Sequence, residues 1–277
     1  RAGTLRCPEP MLSFRGPVAA CAVLLATGAA ACSARSAALD APFAPDDVPG
    51  HTPGLPGLGA YALAYYKLDY APVTSTIATP ARATAATGST ILVGVARGDR
   101  SSLGTPTDSV GNGPYVPVDG LHAYSLYPKS GAGVYALTGA RGGDGFAALA
   151  PAGLDVGGPN PGRHDEVTIA MVEVADGKKI QAARWLEDRT APNTSPSVTT
   201  TGPATLVAFW FGDGFTDQPQ AAVPDSGFTV VATNTQETGS FVQAAVAVRN
   251  VTDPGTYQVS WTPSPAQGAQ LWLIAVQ

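Results

Sequence analysis

The feature that most restricts this chain is a rhythm: from residue 60 to residue 277, short runs of β-branched and aromatic residues alternate with clusters of Gly, Pro, Asp and Asn. Runs of this kind fit strands, and the clusters between them fit turns. Candidate strands are 61–68, 75–79, 90–97, 121–127, 133–138 and 166–174, then 197–201, 205–211, 228–233, 241–249, 256–262 and 270–276. No stretch of a dozen residues carries a helical apolar stripe at period 3.6. A short helix or turn is admitted only at KIQAARWLEDR, 179–189. The expected fold class is all-β: a two-sheet antiparallel β-sandwich, jelly-roll-like, over residues 60–277. With 44% apolar residues the chain can bury a core of that size.

LVAFWF at 206–211 and LWLIAV at 271–276 are apolar on both sides and read as central strands. DPGTYQVSWTP alternates instead, with Tyr257, Val259 and Trp261 on one side and Thr256, Gln258, Ser260 and Thr262 on the other. TGSTILVGVARGD at 87–99 and TGPATLVAFWFGD at 201–213 match at a constant offset of 114, pairing Leu92 with Leu206, Val93 with Val207 and Gly98 with Gly212. PTDSVG at 106–111 and PDSG at 224–227 each precede a strand, and VTIAMVEV at 167–174 parallels AQLWLIAV at 269–276. These pairs predict two repeated halves whose sheets face each other, with Asp99 and Asp213 as turn residues. The competing reading is convergence of unrelated strands on one composition.

Ahead of residue 60 the composition changes. Residues 1–10 precede Met11 and read as an upstream remnant. Arg15 then supplies a positive n-region, 18–26 an apolar h-region too short to span a bilayer, and Ala29-Ala30-Ala31 a small-residue cleavage site, so 11–31 reads as a signal peptide. The next residue is Cys32. This arrangement resembles the lipobox of bacterial lipoproteins, in which that cysteine becomes the lipidated first residue of the mature chain. The chain carries Ala29 where that family prefers Leu, and ordinary secretion with a cut at the same bond is the alternative. Cys7 and Cys21 lie in or before the leader, which makes Cys32 the single thiol left after processing and leaves no disulfide. Residues 32–59, rich in Pro and Gly, read as a tether. An exported protein, anchored to a membrane through Cys32 and periplasmic or at the cell surface, is the expectation.

The tail DPGTYQVSWTPSPAQGAQLWLIAVQ, together with the DSVGN turn, resembles the closing strands of jelly-roll-like or immunoglobulin-like modules in bacterial exported proteins. That resemblance implies a module of binding or structural type, with a polysaccharide or a surface protein as partner. A net charge of -5 and 13% charged residues offer no basic stripe, so nucleic acid is not expected. Tyr115, Tyr124, Trp185 and Trp261 are the aromatic residues available for a sugar or partner surface.

Signals for chemistry are sparse. No Gly-x-Ser-x-Gly elbow is present, and His51, His122 and His164 are unpaired, so no metal site is expected. His122 shares a strand face with Tyr124 and Leu126 and reads as a packed or rim histidine rather than a ligand. RGGDG at 141–145 and DGFTD at 213–217 set acids beside Gly, where calcium could sit, but neither has the Asp spacing of a calcium loop. Arg97-Gly98-Asp99 spells the tripeptide that some adhesins present to integrins.

The rival class is a carbohydrate-active enzyme, a glycoside hydrolase or polysaccharide lyase. It would use Glu173 as acid or base, on the face of Val167, Ile169 and Met171, where desolvation raises a carboxyl pKa. YPKSGAGVY at 127–135 and RWLEDR at 184–189 resemble distorted forms of two alginate-lyase motifs, which implies assisting roles for Tyr127 and Arg184. Their chain order is reversed relative to that family, and its Gln-x-His element is missing.

Overall fold

The computed structural model describes residues 55–66, 76–98, 104–151, 166–212, 220–235 and 242–277. Cys32, the leader and the tether up to residue 54 lie outside the described residues, as do His51, Asp99, His164 and Asp213. The first half contains β1 (Gly57–Tyr66), β2 (Thr76–Ala78), β3 (Thr87–Arg97), β4 (Thr107–Asp108), β5 (Val116–Ala123), β6 (Gly131–Arg141), β7 (Ala148–Pro151) and β8 (Val167–Ala175). The second contains β9 (Ile180–Asp188), β10 (Asn193–Thr194), β11 (Val198–Thr200), β12 (Ala204–Gly212), β13 (Ala221–Pro224), β14 (Thr229–Asn234), β15 (Gln243–Val251), β16 (Gly255–Tyr257), β17 (Ser260–Ser264) and β18 (Ala269–Val276).

The two halves are wired alike. In the first, a five-stranded sheet runs β1-β8-β3-β6-β5 and a three-stranded sheet β2-β7-β4; in the second, the orders are β9-β18-β12-β15-β14 and β10-β17-β13, with β11-β16 added. This interleaving of early and late strands is that of a jelly roll, with β5 and β14 moved to the edge of the large sheet. Each half buries one core between its large and small sheets. Ile91, Val93, Tyr135, Ile169 and Met171 fill the first, and Leu206, Trp210, Trp261, Leu271 and Leu273 fill the second. The large sheets then pack face to face over a third core that includes Leu92, Val172, Phe209, Phe211, Trp272 and Ile274. The expected sandwich of repeated halves is thus present, with an outer sheet added on each side.

The match that announced the repeat is out of register. Thr90 pairs with Val174, as Thr205 pairs with Val276, and Arg97 pairs with Val167, as Gly212 pairs with Ala269; the equivalent residues are therefore 115 apart, not 114. Leu92 faces the opposite half whereas Leu206 faces its own small sheet. A one-residue slip in a strand exchanges the two faces, so the letter-for-letter similarity links side chains that do different work. The match of 167–174 with 269–276 is in register.

KIQAARWLEDR is not helical: it forms β9 and pairs with β18 from Ile180 to Asp188. An edge strand with both faces partly wet has no reason to alternate, and its residues are half-buried or exposed throughout. The DPGTYQVSWTP run breaks between β16 and β17, yet Val259 and Trp261 remain buried while Gln258 and Thr262 are exposed. The short strands β4, β7, β10 and β13, all in small sheets, had no counterpart among the expected strands.

The ladder directions give the molecule two unlike ends. β1 starts beside the end of β8, Gly57 opposite Ala175, and β18 ends beside the start of β9. This stem end also holds the Asp176–Lys179 turn joining the halves, where Lys178 N and Lys179 N donate to Gln277 O at 2.6 and 2.8 Å. At the opposite end the halves meet through Tyr124 Oη, which donates to Phe211 O at 3.0 Å, and Thr168 Oγ1, which donates to Val242 O at 2.5 Å. The connections 67–75, 98–106, 124–130, 152–166, 213–220 and 235–242 all leave from strand ends there, so it is called the loop end below.

Candidate functional site

Several interior residues near the loop end are polar, beside the apolar Val167 and Ala269 of the same rungs. Arg97 and Thr168 in the first half and Asn193, Gln220, Gln243 and Gln270 in the second are all buried. Buried polar groups call for hydrogen-bond partners, so their arrangement has consequences. In the first half Arg97 lies between the two sheets and its guanidinium donates to Pro151 O at the end of β7, closing that mouth. Burial raises the pKa of the neighbouring Tyr135 phenol, and the Arg97 charge opposes the rise.

The second mouth is built differently. Gly212 stands at the rung that Arg97 occupies in the first half. A chain of hydrogen bonds crosses it: Trp210 Nε1 donates to Asn193 Oδ1 at 2.9 Å, Asn193 Nδ2 to Gln267 O at 3.0 Å, and Gln267 Nε2 to Gln220 Oε1. Thr235 Oγ1 continues it to Gln220 O at 3.2 Å. Asp188, at the rim, accepts from Thr190 N at 3.0 Å, Thr190 Oγ1 at 2.8 Å and Thr194 N at 2.8 Å. Burial pushes its carboxyl pKa up, but these bonds outweigh burial and hold it below the ordinary carboxylate value.

Along one side the edge strands β5 and β9 form a clasp between the halves. His122 stacks on Trp185 with ring centroids 3.5 Å apart and planes 6° from parallel, and Trp272 is tilted against both. Trp185 N donates to Asp119 Oδ2 at 2.9 Å, and Trp272 Nε1 donates to Val118 O at 3.1 Å. Ser125 N donates to the Glu187 carboxylate at 3.0 Å, and Ser125 Oγ at 2.6 Å. His122 is half-buried and packed on Trp185, but Tyr124 and Leu126, expected on its strand face, lie beyond the end of β5, and Leu126 is exposed.

The structure redistributes the residues singled out from sequence. Glu173 is 1% exposed, and its carboxylate accepts from Ala60 N at 2.9 Å, Ala85 N at 2.8 Å and Ser89 Oγ at 2.6 Å. It ties β1, β3 and the 79–86 connection together at the stem end. Tyr127 is half-buried in the 124–130 connection at the other end, and Arg184 is exposed on β9. These three residues, grouped by the enzyme reading, are not brought together. Tyr115, Tyr124 and Trp261 are interior rather than surface aromatics, at 2%, 1% and 0% exposure. Tyr115 Oη donates to Asp108 Oδ2 at 2.9 Å; burial first, and then the Asp108 carboxylate, raise its pKa far above the ordinary phenol value. Trp185 is half-buried with one face under His122. Arg97 of the Arg-Gly-Asp tripeptide is fully buried, so its side chain is not presented.

Among the described residues no group of three His, Cys, Asp or Glu side chains could hold a metal ion. Compared with known proteins, the chain matches no family model, no curated protein and no solved structure. Sequence reasoning missed Gln243, Gln267 and Asn193. The available signal was a lone amide at the start of an apolar strand, as in FVQAAVAV at 241–248.

Proposed function

We propose that this chain is a stem-borne binding module of a bacterial cell surface, held by a lipid on Cys32 and offering the loop end of its paired sheets to a polysaccharide or a surface protein. The observation that carries the reading is the direction of β1. It enters at the stem end, so the chain preceding residue 55 joins the fold on the side away from both mouths. A tether attached there leaves the mouths at the opposite end of the sheets. Connections on a rigid sandwich are common carriers of binding residues. The lipid anchor rests on the leader and on the position of Cys32.

The test uses the full chain expressed in a bacterium. Labelled palmitate should enter the wild type and not the Cys32→Ala variant. The purified protein should be retained on insoluble polysaccharide or on whole-cell surface material without releasing reducing ends or unsaturated products. Release of such products would replace the module with a carbohydrate-active enzyme. Absence of both retention and release would overturn the binding reading.

A further inference from the structure

The loop end carries buried amides whose polar atoms are unmet. Gln243 Oε1 and Nε2 and Gln267 Oε1 are buried without a hydrogen-bond partner among the described residues. Gln243 opens β15 opposite Gly212, on the same face as Ala245 and Ala247 of the second core. Gln220, two residues before the inward-facing Ala222, is held by Gln267, so three glutamine side chains share one mouth.

The first half shows what this mouth has exchanged. By register, Gly131 stands where Gln243 stands, and Arg97 where Gly212 stands. One mouth is therefore crossed by a cation bound to Pro151 O, while the other has a glycine and an added amide. A Cβ at Gly212 would lie 2.2 Å from Trp210 Cη2, so this glycine is what lets the indole extend to the mouth.

We infer that the second mouth is a binding site for a neutral polyhydroxylated ligand, a sugar residue, held by the amides of Gln243 and Gln267. An amide side chain offers both an N–H donor and a carbonyl acceptor, and a sugar hydroxyl is likewise both. Among the described residues, the groups lining the mouth, Trp210, Asn193, Gln220, Gln243 and Gln267, are uncharged, and the rim carboxylate of Asp188 is already engaged by Thr190 and Thr194. A charged ligand would be desolvated there without compensation. This site rests on the reading of the loop end as the binding end and names its ligand class.

Gln270 supplies an internal control. It is equally buried with both amide atoms unmet, but it is paired with Phe211 and faces the other half, outside the mouth. The probes are soluble cello-, xylo-, manno- and laminari-oligosaccharides titrated into the full chain, read by calorimetry and by side-chain amide NMR. At least one should bind and should move the Gln243 and Gln267 side-chain resonances while leaving those of Gln270 in place. Gln243→Leu should weaken binding at least tenfold, and Gln270→Leu should bind as wild type. The NMR shifts decide the matter if Gln243→Leu does not fold. No binding by any probe, binding without those shifts, equal weakening by both variants, or a crystal structure with ordered water alone on both amides overturns the site. Retention on insoluble polysaccharide that is indifferent to Gln243 removes this site and leaves the binding module standing; loss of retention in the wild type removes the module itself.

Discussion

Gly94 and Phe209 hold the same rung in the two halves and touch each other across the paired sheets. Gly94 pairs with Ala170 as Phe209 pairs with Trp272, and a Cβ on Gly94 would lie 2.9 Å from Phe209 Cδ1 and 2.8 Å from Phe211 Cζ. Equivalent residues meet where a two-fold axis passes. Two phenylalanines there would overfill the space, two glycines would leave it empty, and one of each fills it. A repeat fused in one chain can break symmetry in this way. Gly94→Ala should therefore destabilise the fold by about 1–3 kcal/mol through overpacking, read as a lower urea midpoint with an unchanged m-value.

Glu173 anchors the stem end. Its carboxylate satisfies two backbone N–H groups and one hydroxyl in the interior, and Glu173→Ala leaves all three without an acceptor. The expected loss is about 3 kcal/mol or more, seen in chemical denaturation. A variant that kept full stability while losing a lytic activity would return Glu173 to the catalytic role that its position on an apolar strand face first offered.

Acid should act through Asp188. A carboxyl held below its ordinary pKa in the folded state contributes stability that is present above the unfolded value, about 3.9, and disappears as pH falls through the folded one. The melting temperature of Asp188→Ala should lie below that of wild type at neutral pH, and the gap should close as pH drops below about 4. A gap independent of pH would mean that the bonds from Thr190 and Thr194 owe nothing to the charge.

Alkali should separate the tyrosines. Tyr115 and Tyr135 have raised phenol pKa values, so each favours the folded state below the unfolded value of about 10 and ceases to do so as pH rises through the folded value. Tyr115 and Tyr135 should be missing from the phenolate absorbance step of the folded protein and appear only with alkaline unfolding. Tyr115→Phe should remove one late-titrating group and leave the early step unchanged.

How far the sequence reading reached follows from what each residue packs against. The runs LVAFWF and LWLIAV announced β12 and β18 because strands covered on both faces need no polar alternation. The edge strand β9 carried no such pattern, since one side of it is open. The repeat was visible as recurring strand composition, but a three-dimensional ladder was needed to find that its true offset is one residue longer. Aromatic type does not report side: Tyr124 and Trp261 fill interior space that only the meeting of distant strands creates. The amides of the second mouth sit in apolar company and drew no notice. Gln243 acquires meaning only when it is set beside Gly131.

The contact between His122 of the first half and Trp185 of the second is where the central claim can be measured most directly, because face-to-face pairing of the large sheets is what brings both mouths to one end. Isotope-edited NOE spectroscopy on the full chain should give cross-peaks among the His122, Trp185 and Trp272 rings, with His122 ring protons displaced by the indole it stacks on. Cross-peaks confined within each half, with His122 at unstacked shifts, would contradict the paired arrangement and the placing of both mouths at one end that depends on it.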